Sequence, residues 1–168
     1  MTTSPFGSLL QLLQARLKAQ VPELRYIDQD LGQLEVERPP VSYHCALIDF
    51  VDWSFEDVGD NIQFASGAVI IRLGMQAWSS SSNLTPVLHQ DKALSFYDVE
   101  WKTYKALHGW KPANYGYLMR TNVNTEERED NLRVRAIRFS CSFEDSNAQP
   151  THTLAKVTDP EIIAEFLH

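Results

Sequence analysis

Residues 41–55 constrain the fold most, because they are apolar on both parities of an extended chain. Val41, Tyr43, Cys45, Leu47, Val51, Trp53 and Phe55 share one parity, interrupted by Asp49, and Ala46, Ile48 and Phe50 occupy the other. Successive side chains of a strand point to opposite faces. A strand apolar on both faces is covered on both, here at least up to Phe50. Beyond Phe50 one face stays apolar. The stretch exceeds the usual strand length of about 3–10 residues. It therefore bends, or runs past the core as an arm.

Glu56–Asn61 is an acidic turn containing Gly59, and Ile62–Met75 returns as a second strand. So short a connection makes an antiparallel hairpin. Trp53, Phe55 and Phe64 fall at its outer end. Exposed there, they would form an interface; folded back, they would be core.

Phe6, Leu9, Leu10, Leu13, Leu17 and Val21 recur at spacings of three and four and predict a helix, with Ser4 as N-cap, Pro5 as first residue, Lys18 in the last turn and Pro22 as the stop. Its stripe packs on the domain's own sheet rather than on a partner. Leu24–Ile27 and Gln33–Val36 read as short strands around a turn at Asp28, Asp30 and Gly32, too incomplete for a calcium loop. Trp78–Pro86, with four consecutive serines, is a loop.

A second helix runs from Asp91 to His108, with Leu94, Tyr97, Trp101, Tyr104 and Leu107 or His108 as its buried stripe, an Asp98–Lys102 pair and Gly109 after its end. Tyr115–Asn122 and Leu132–Phe143 are strands of a further hairpin. Its charged tip, Asn124–Asp130, includes Glu126, Glu127, Arg128 and Glu129. The apolar parity changes from Leu132 and Val134 to Ile137, Phe139, Cys141 and Phe143, which a bulge near Ala136 would explain. Asp159-Pro160 starts a short helix whose stripe, Ile162, Ile163, Phe166 and Leu167, must dock on its own domain or a neighbouring subunit. Residues 1–145 thus make a single α+β domain, an antiparallel sheet of about four to six strands with helices on one face and a protruding hairpin. Residues 146–168 are a C-terminal extension.

Chemistry is harder to find. With 168 residues and 43% apolar content the chain fills one core, and no run of about 18 apolar residues spans a membrane. No basic residue precedes Arg16 and Gln11 and Gln14 break the first apolar stretch, so no signal peptide is expected. The net charge of -7 disfavours a conventional nucleic-acid binder. Cys45 and Cys141 fit neither a disulfide framework nor a cysteine zinc site, and a reducing cytoplasm is the expected compartment.

No nucleophile elbow or phosphate-binding glycine loop is present. His44 and Cys45 are adjacent in a strand and point apart; His89 and His108 sit near opposite ends of one helix. Glu100 and Lys102 match half of a metal-dependent nuclease signature. On a helix they diverge by about 200°, which argues against that chemistry. Asp49, Asp52, Glu56, Asp57 and Asp60 could hold a cation, or form a solvated strand end. No catalytic residue, metal or cofactor is assigned.

The stretches "PELRYIDQDLGQLE" from Pro22, "RPPVSYHCALIDF" from Arg38, "ALHGW" from Ala106 and "RVRAIRFSCSF" from Arg133 resemble the small tail-completion proteins of tailed phages and of Bacteroidetes-type prophages. The likeness covers about residues 5–145. It implies a tail terminator: a ring, commonly a hexamer, that closes the tail tube and offers a head-joining surface, without covalent chemistry. Implied partners are copies of itself, the tail tube protein and a head–tail connector. DNA would only pass through, no membrane is involved, and the protein would act in the bacterial cytoplasm during assembly and in the virion tail. A head–tail connector or other neck component, an enzyme with an unrecognised acidic site, and a non-viral adaptor are the alternatives. Trp53, Phe55, Phe64, Glu126, Glu127, Arg128, Glu129, Ile162 and Phe166 are the candidate interface residues.

Overall fold

In the computed structural model, residues 4–76, 80–128 and 132–149 are described. The first helix, α1 (Pro5–Gln20), starts and stops where its sequence dictates. Ser4 is extended and its hydroxyl accepts the Gly7 amide at 3.5 Å; Pro5 opens the first turn. Leu9, Leu13 and Leu17 bury one face against the domain's own sheet.

Five strands form one mixed sheet. They are β1 (Tyr26–Gln29), β2 (Cys45–Gly59), β3 (Ile62–Gln76), β4 (Met119–Glu126) and β5 (Leu132–Asp145), in the order β1-β2-β3-β5-β4. The fold class is α+β, as expected, but the sheet is not wholly antiparallel: β1 joins the edge of β2 in parallel. The second helix, α2 (Val87–Leu107), packs with α1 over the same face, where Ile48, Ile71, Leu73, Ile137 and Phe139 fill the main core.

The opposite face carries a smaller core of Leu34, Cys45, Leu47 and Val134. This second core accounts for the two-sided apolar pattern at the start of β2. It also corrects two expectations. Gln33–Val36 is not a strand; Gln33–Glu35 is a 3-10 turn. Gly32 takes φ 82°, a left-handed conformation open to glycine, after the Asp30 carboxylate accepts its amide at 3.0 Å. The turn drops Leu34 onto the sheet. Nor is there a bulge at Ala136. β3 and β5 stay in register from Gln63↔Asp145 to Gln76↔Leu132, and Val134 changes parity because it faces the second core.

The register breaks in β2 instead, between Val51 and Ser54, where Asp52 has φ 54°. The extra residue returns Trp53 to the face already used by Ala46, Ile48 and Phe50. β5 accompanies β3 to its outer end, so the hairpin is one side of a three-stranded extension and not a free arm.

Other boundaries also moved. β4 covers Met119–Glu126 rather than Tyr115–Asn122; Tyr115 forms an isolated bridge to Phe143. α2 begins at Val87, four residues earlier than Asp91. Lys102 pairs with Glu23 rather than Asp98. Gly109 follows α2 at φ 74°. The short helix expected after Asp159 lies outside the described residues.

Candidate interaction surface

α2 carries two apolar stripes. Phe96, Val99, Thr103, Ala106 and Leu107 are buried against the sheet. The Thr103 hydroxyl is satisfied at 2.8 Å by the Val99 carbonyl, which lets a polar residue sit in the core. Val87, Leu94, Tyr97, Trp101 and Tyr104 follow the same three- and four-residue spacing on the opposite side. Tyr97 is 50% exposed and Trp101 57%.

Of the stripe expected from sequence Leu107 is buried, but Leu94, Tyr97 and Trp101 are not: the bulkier, aromatic set faces out. Phe96, Val99, Thr103 and Ala106 have equally good helical spacing, and that second stripe was the available signal. A helix apolar on both sides is covered on both when a partner is present.

The outer aromatics are ordered among themselves. Trp101 and Tyr104 have ring centroids 5.3 Å apart, and Tyr104 stacks on His108 at 4.9 Å. The Arg120 guanidinium lies 3.8 Å from the Tyr104 centroid, and its backbone amide donates to His108 Nδ1 at 3.0 Å. Towards its start the helix is less covered, although Arg133 of β5 still donates to the Ala93 carbonyl at 3.4 Å. Between Val87 and Ser95 no residue is buried, and Val87 and Leu88 stand in solvent beside Leu84.

The charged tip of the second hairpin is not a free protrusion. Arg72 on β3 holds Glu126 through two bonds of 2.6 Å, Asp30 at 2.8 Å and Glu35 at 2.6 Å. Arg128 donates to the Leu34 carbonyl at 2.5 Å and pairs with Glu35 at 3.3 Å. The Arg72 hydrogen bond holds the Glu35 carboxyl below the usual glutamate range, and Glu126 with its neighbours keeps Arg72 protonated. These carboxylates are committed to arginine, so the cluster is a clasp between β1, the 3-10 turn and β4. Glu127 is exposed beside it; Glu129 lies outside the described residues, as do Ile162 and Phe166.

The hairpin aromatics divide. Trp53 folds inward, its ring 5.1 Å from Phe6 and 5.2 Å from Phe143, with its indole N–H donating to the Ala68 carbonyl at 3.2 Å. Phe55 follows it, 6.5 Å from Phe143, and keeps 45% exposure. Phe64, 42% exposed, has the opposite parity to Ala65 and Val69 of the main core and so faces the other side of the sheet. The three do not form one patch.

The acidic residues do not converge either. Asp52 pairs with Arg138 at 2.5 Å, Asp57 accepts the Gly59 amide at 2.9 Å and Asp49 accepts the Phe50 amide at 2.8 Å. Glu100 reaches Arg135 at 2.8 Å while Lys102 turns to Glu23, so the nuclease-like pair diverges as its helical spacing requires. Burial pushes both thiols, Cys45 and Cys141, up to about 11. Among the described residues no three His, Cys, Asp or Glu side chains converge on a metal position, and no helix is long and apolar enough to cross a membrane. A groove of about 780 Å³ runs beside α1, lined by Pro5, Ser8, Leu12, Tyr115, Phe143 and Asn147. Tyr115 spans it, donating its hydroxyl to the Pro5 carbonyl at 2.6 Å.

No protein-family model matches the chain, and no curated protein matches it in sequence. Among solved structures it is similar to a chain of the virion of a native gene transfer agent particle. The two are 13% identical with a TM-score of 0.52, and the match covers 86% of this chain and 100% of that one. At that identity the likeness is one of fold.

Proposed function

We propose that this protein is a structural subunit of a phage-like particle, and within it a tail terminator. In that role it forms a ring, hexameric in the family it resembles, that closes the tail tube and presents the surface to which the head joins. The observation that carries the coarser reading is the fold shared with a gene transfer agent virion chain over that chain's whole length. The finer role rests on the sequence resemblance to tail-completion proteins.

The surface suits assembly better than catalysis. An ordered aromatic helix face in solvent is what an interface offers, whereas Asp30, Glu35, Glu126, Asp52 and Glu100 are tied to arginines. The partners would be other copies, the tube protein and a connector. A net charge of -7 would let DNA pass a ring without being gripped. Residues 1–145 would form the body of the subunit and 146–168 an appended arm.

Negative-stain imaging and light scattering of the full chain test this reading. Rings of several times 19.2 kDa, and an end to tube growth when the protein is added to polymerising tail tube, are expected. A protein that forms no ring, alone or on tube ends, and leaves tube length unlimited is not a terminator. One that restores head joining without limiting length is a connector.

A further inference from the structure

We propose that the acidic tip of the β2–β3 hairpin docks on the basic, aromatic end of α2 of a second copy of this chain. The contact rests on the reading that copies assemble, and not on a terminator role.

Charge is segregated along the chain. Between Arg38 and Arg72 there is no lysine or arginine, while Asp49, Asp52, Glu56, Asp57 and Asp60 are acidic. Between Glu100 and Glu126 the pattern inverts, with Lys102, Lys105, Lys111 and Arg120 and no acid. At a net charge of -7, two copies repel unless such opposite regions meet.

Each region also presents apolar surface. The tip is a tight turn: Asp60 and Asn61 take φ 53° and 58°, and Gly59 pairs with Ile62. The register slips between Asp57 and Gly59, which leaves Val58 as an extra residue in solvent, 61% exposed. Glu56 and Asp60 flank it, and neither forms an ion pair among the described residues. On α2 the basic end starts at the ring pair Trp101 and Tyr104; Asp98 lies before it. Lys102 is engaged with Glu23, and Lys111 lies 5.6 Å from the Tyr117 centroid. Lys105, exposed one turn beyond Trp101, and Arg120, over Tyr104, remain. An apolar tip between two carboxylates thus matches two rings beside two cations.

The sheet decides whose tip it is. Val69 and Arg120 both pair with Phe139, so the Tyr104 ring beneath the Arg120 guanidinium lies at that level of the sheet. Asp60 is further along the same hairpin, about 30 Å away from Val69 at about 3.3 Å per residue. β3 stays paired with β5 out to Gln63↔Asp145, which prevents the tip from folding back. The chain's own tip therefore does not reach its own α2 face, and the tip of a second copy meets no such limit. The contact joins two different patches, so it is heterologous and passes from copy to copy.

Light scattering of charge-reversed full-chain variants tests this. Wild type is expected at a multiple of 19.2 kDa. K105E/R120E, with an acidic face, and E56K/D60K, with a basic tip, are each expected to be monomers with unchanged circular dichroism. Mixed in equal amounts they should return to the wild-type mass, because each acidic face then meets a basic tip and each basic face an acidic one. Should either fail to fold, K105E alone and V58R, both at exposed side chains, take their places. In a mixture of 15N-labelled and unlabelled wild type, a carbodiimide, which joins an amine to a carboxylate in contact with it, should link Lys105 to Glu56 or Asp60 in mixed-isotope pairs. Variants that keep the mass of an assembled wild type overturn this contact and leave assembly standing. A mixture that stays monomeric overturns it too, as does a wild-type monomer, which removes assembly in solution as well. Lys105 links confined to Asp159, Glu161 or Glu165 overturn it and identify the C-terminal segment as the cover.

Discussion

Arg72 grips Glu126 with both arms of its guanidinium, Nε to Oε1 and Nη2 to Oε2, each at 2.6 Å. The two residues are 54 positions apart, and Asp30 and Glu35 close on the same guanidinium. Fork-to-fork geometry makes this a directional bond as well as a charge pair. Its effect is to tie β4 to the edge strand β1 across the second face of the sheet. Arg72→Met would leave three carboxylates crowded around an apolar side chain with Arg128 alone to offset them. The Arg72 side chain is 15% exposed. We expect a loss of about 2–3 kcal/mol, below the 3–5 of a fully buried broken pair, read as a shift in the urea midpoint.

The same clasp sets an acid dependence. The Arg72 hydrogen bond lowers the Glu35 pKa, so folded Glu35 binds fewer protons than unfolded Glu35 just below the ordinary glutamate range. Its contribution is present above the unfolded value and lost as pH falls through the folded one. Urea midpoints taken from about pH 6 to about pH 3 should fall further for wild type than for Glu35→Gln. Equal declines would mean that solvent screens the pair.

Gly67 and Trp53 make a second close relationship. A Cβ built on Gly67 would sit 2.4 Å from Trp53 Cδ2, well inside contact distance. Gly67→Ala must therefore expel the indole from its place against Phe6 and Phe143 and break its bond to the Ala68 carbonyl. Overpacking of this kind costs about 1–3 kcal/mol. Combined with Trp53→Ala the cost should not add, because the smaller side chain removes the clash. Full additivity in denaturant titration would show that the ring does not lie over this glycine.

Periodicity revealed that α2 is a helix but not which way it faces. Aromatic residues at Tyr97, Trp101 and Tyr104 look like core in a sequence, because their rings carry large apolar area. The competing set includes Thr103 and Ala106, which weigh little on any hydrophobic scale. The inner face is nevertheless built from Phe96, Val99, Thr103, Ala106 and Leu107. The α1 stripe was legible because it has no rival. The two-sided start of β2 was legible too, since nothing else explains apolar residues on both parities. The clasp was not, because its members are scattered from Asp30 to Arg128 and meet through pairing across the sheet. Adjacent substitutions on α2 separate its faces. In dilute, monomeric protein, Phe96→Ala should cost about 3–5 kcal/mol as a buried ring, and Tyr97→Ala should stay within about 0.5 kcal/mol as a surface change. The reverse ranking would restore the stripe expected from sequence.

The two thiols report on the two cores separately. Both are buried with their pKa pushed up to about 11, so the thiolate is scarce near neutral pH and access requires opening. Cys141 belongs to the main core under α1 and α2. Cys45 lies in the smaller core, with its sulfur against Gly74 and the Leu34 side chain as its lid. That lid is held by the 3-10 turn, the four-residue strand β1 and the Arg72–Arg128 clasp. So small a unit opens at lower free energy than the whole domain. Under native conditions Cys45 should therefore react with iodoacetamide before Cys141, read by peptide mass. Arg72→Met should speed labelling of Cys45 much more than that of Cys141. Equal acceleration of both thiols would mean that the second core opens only when the whole sheet does.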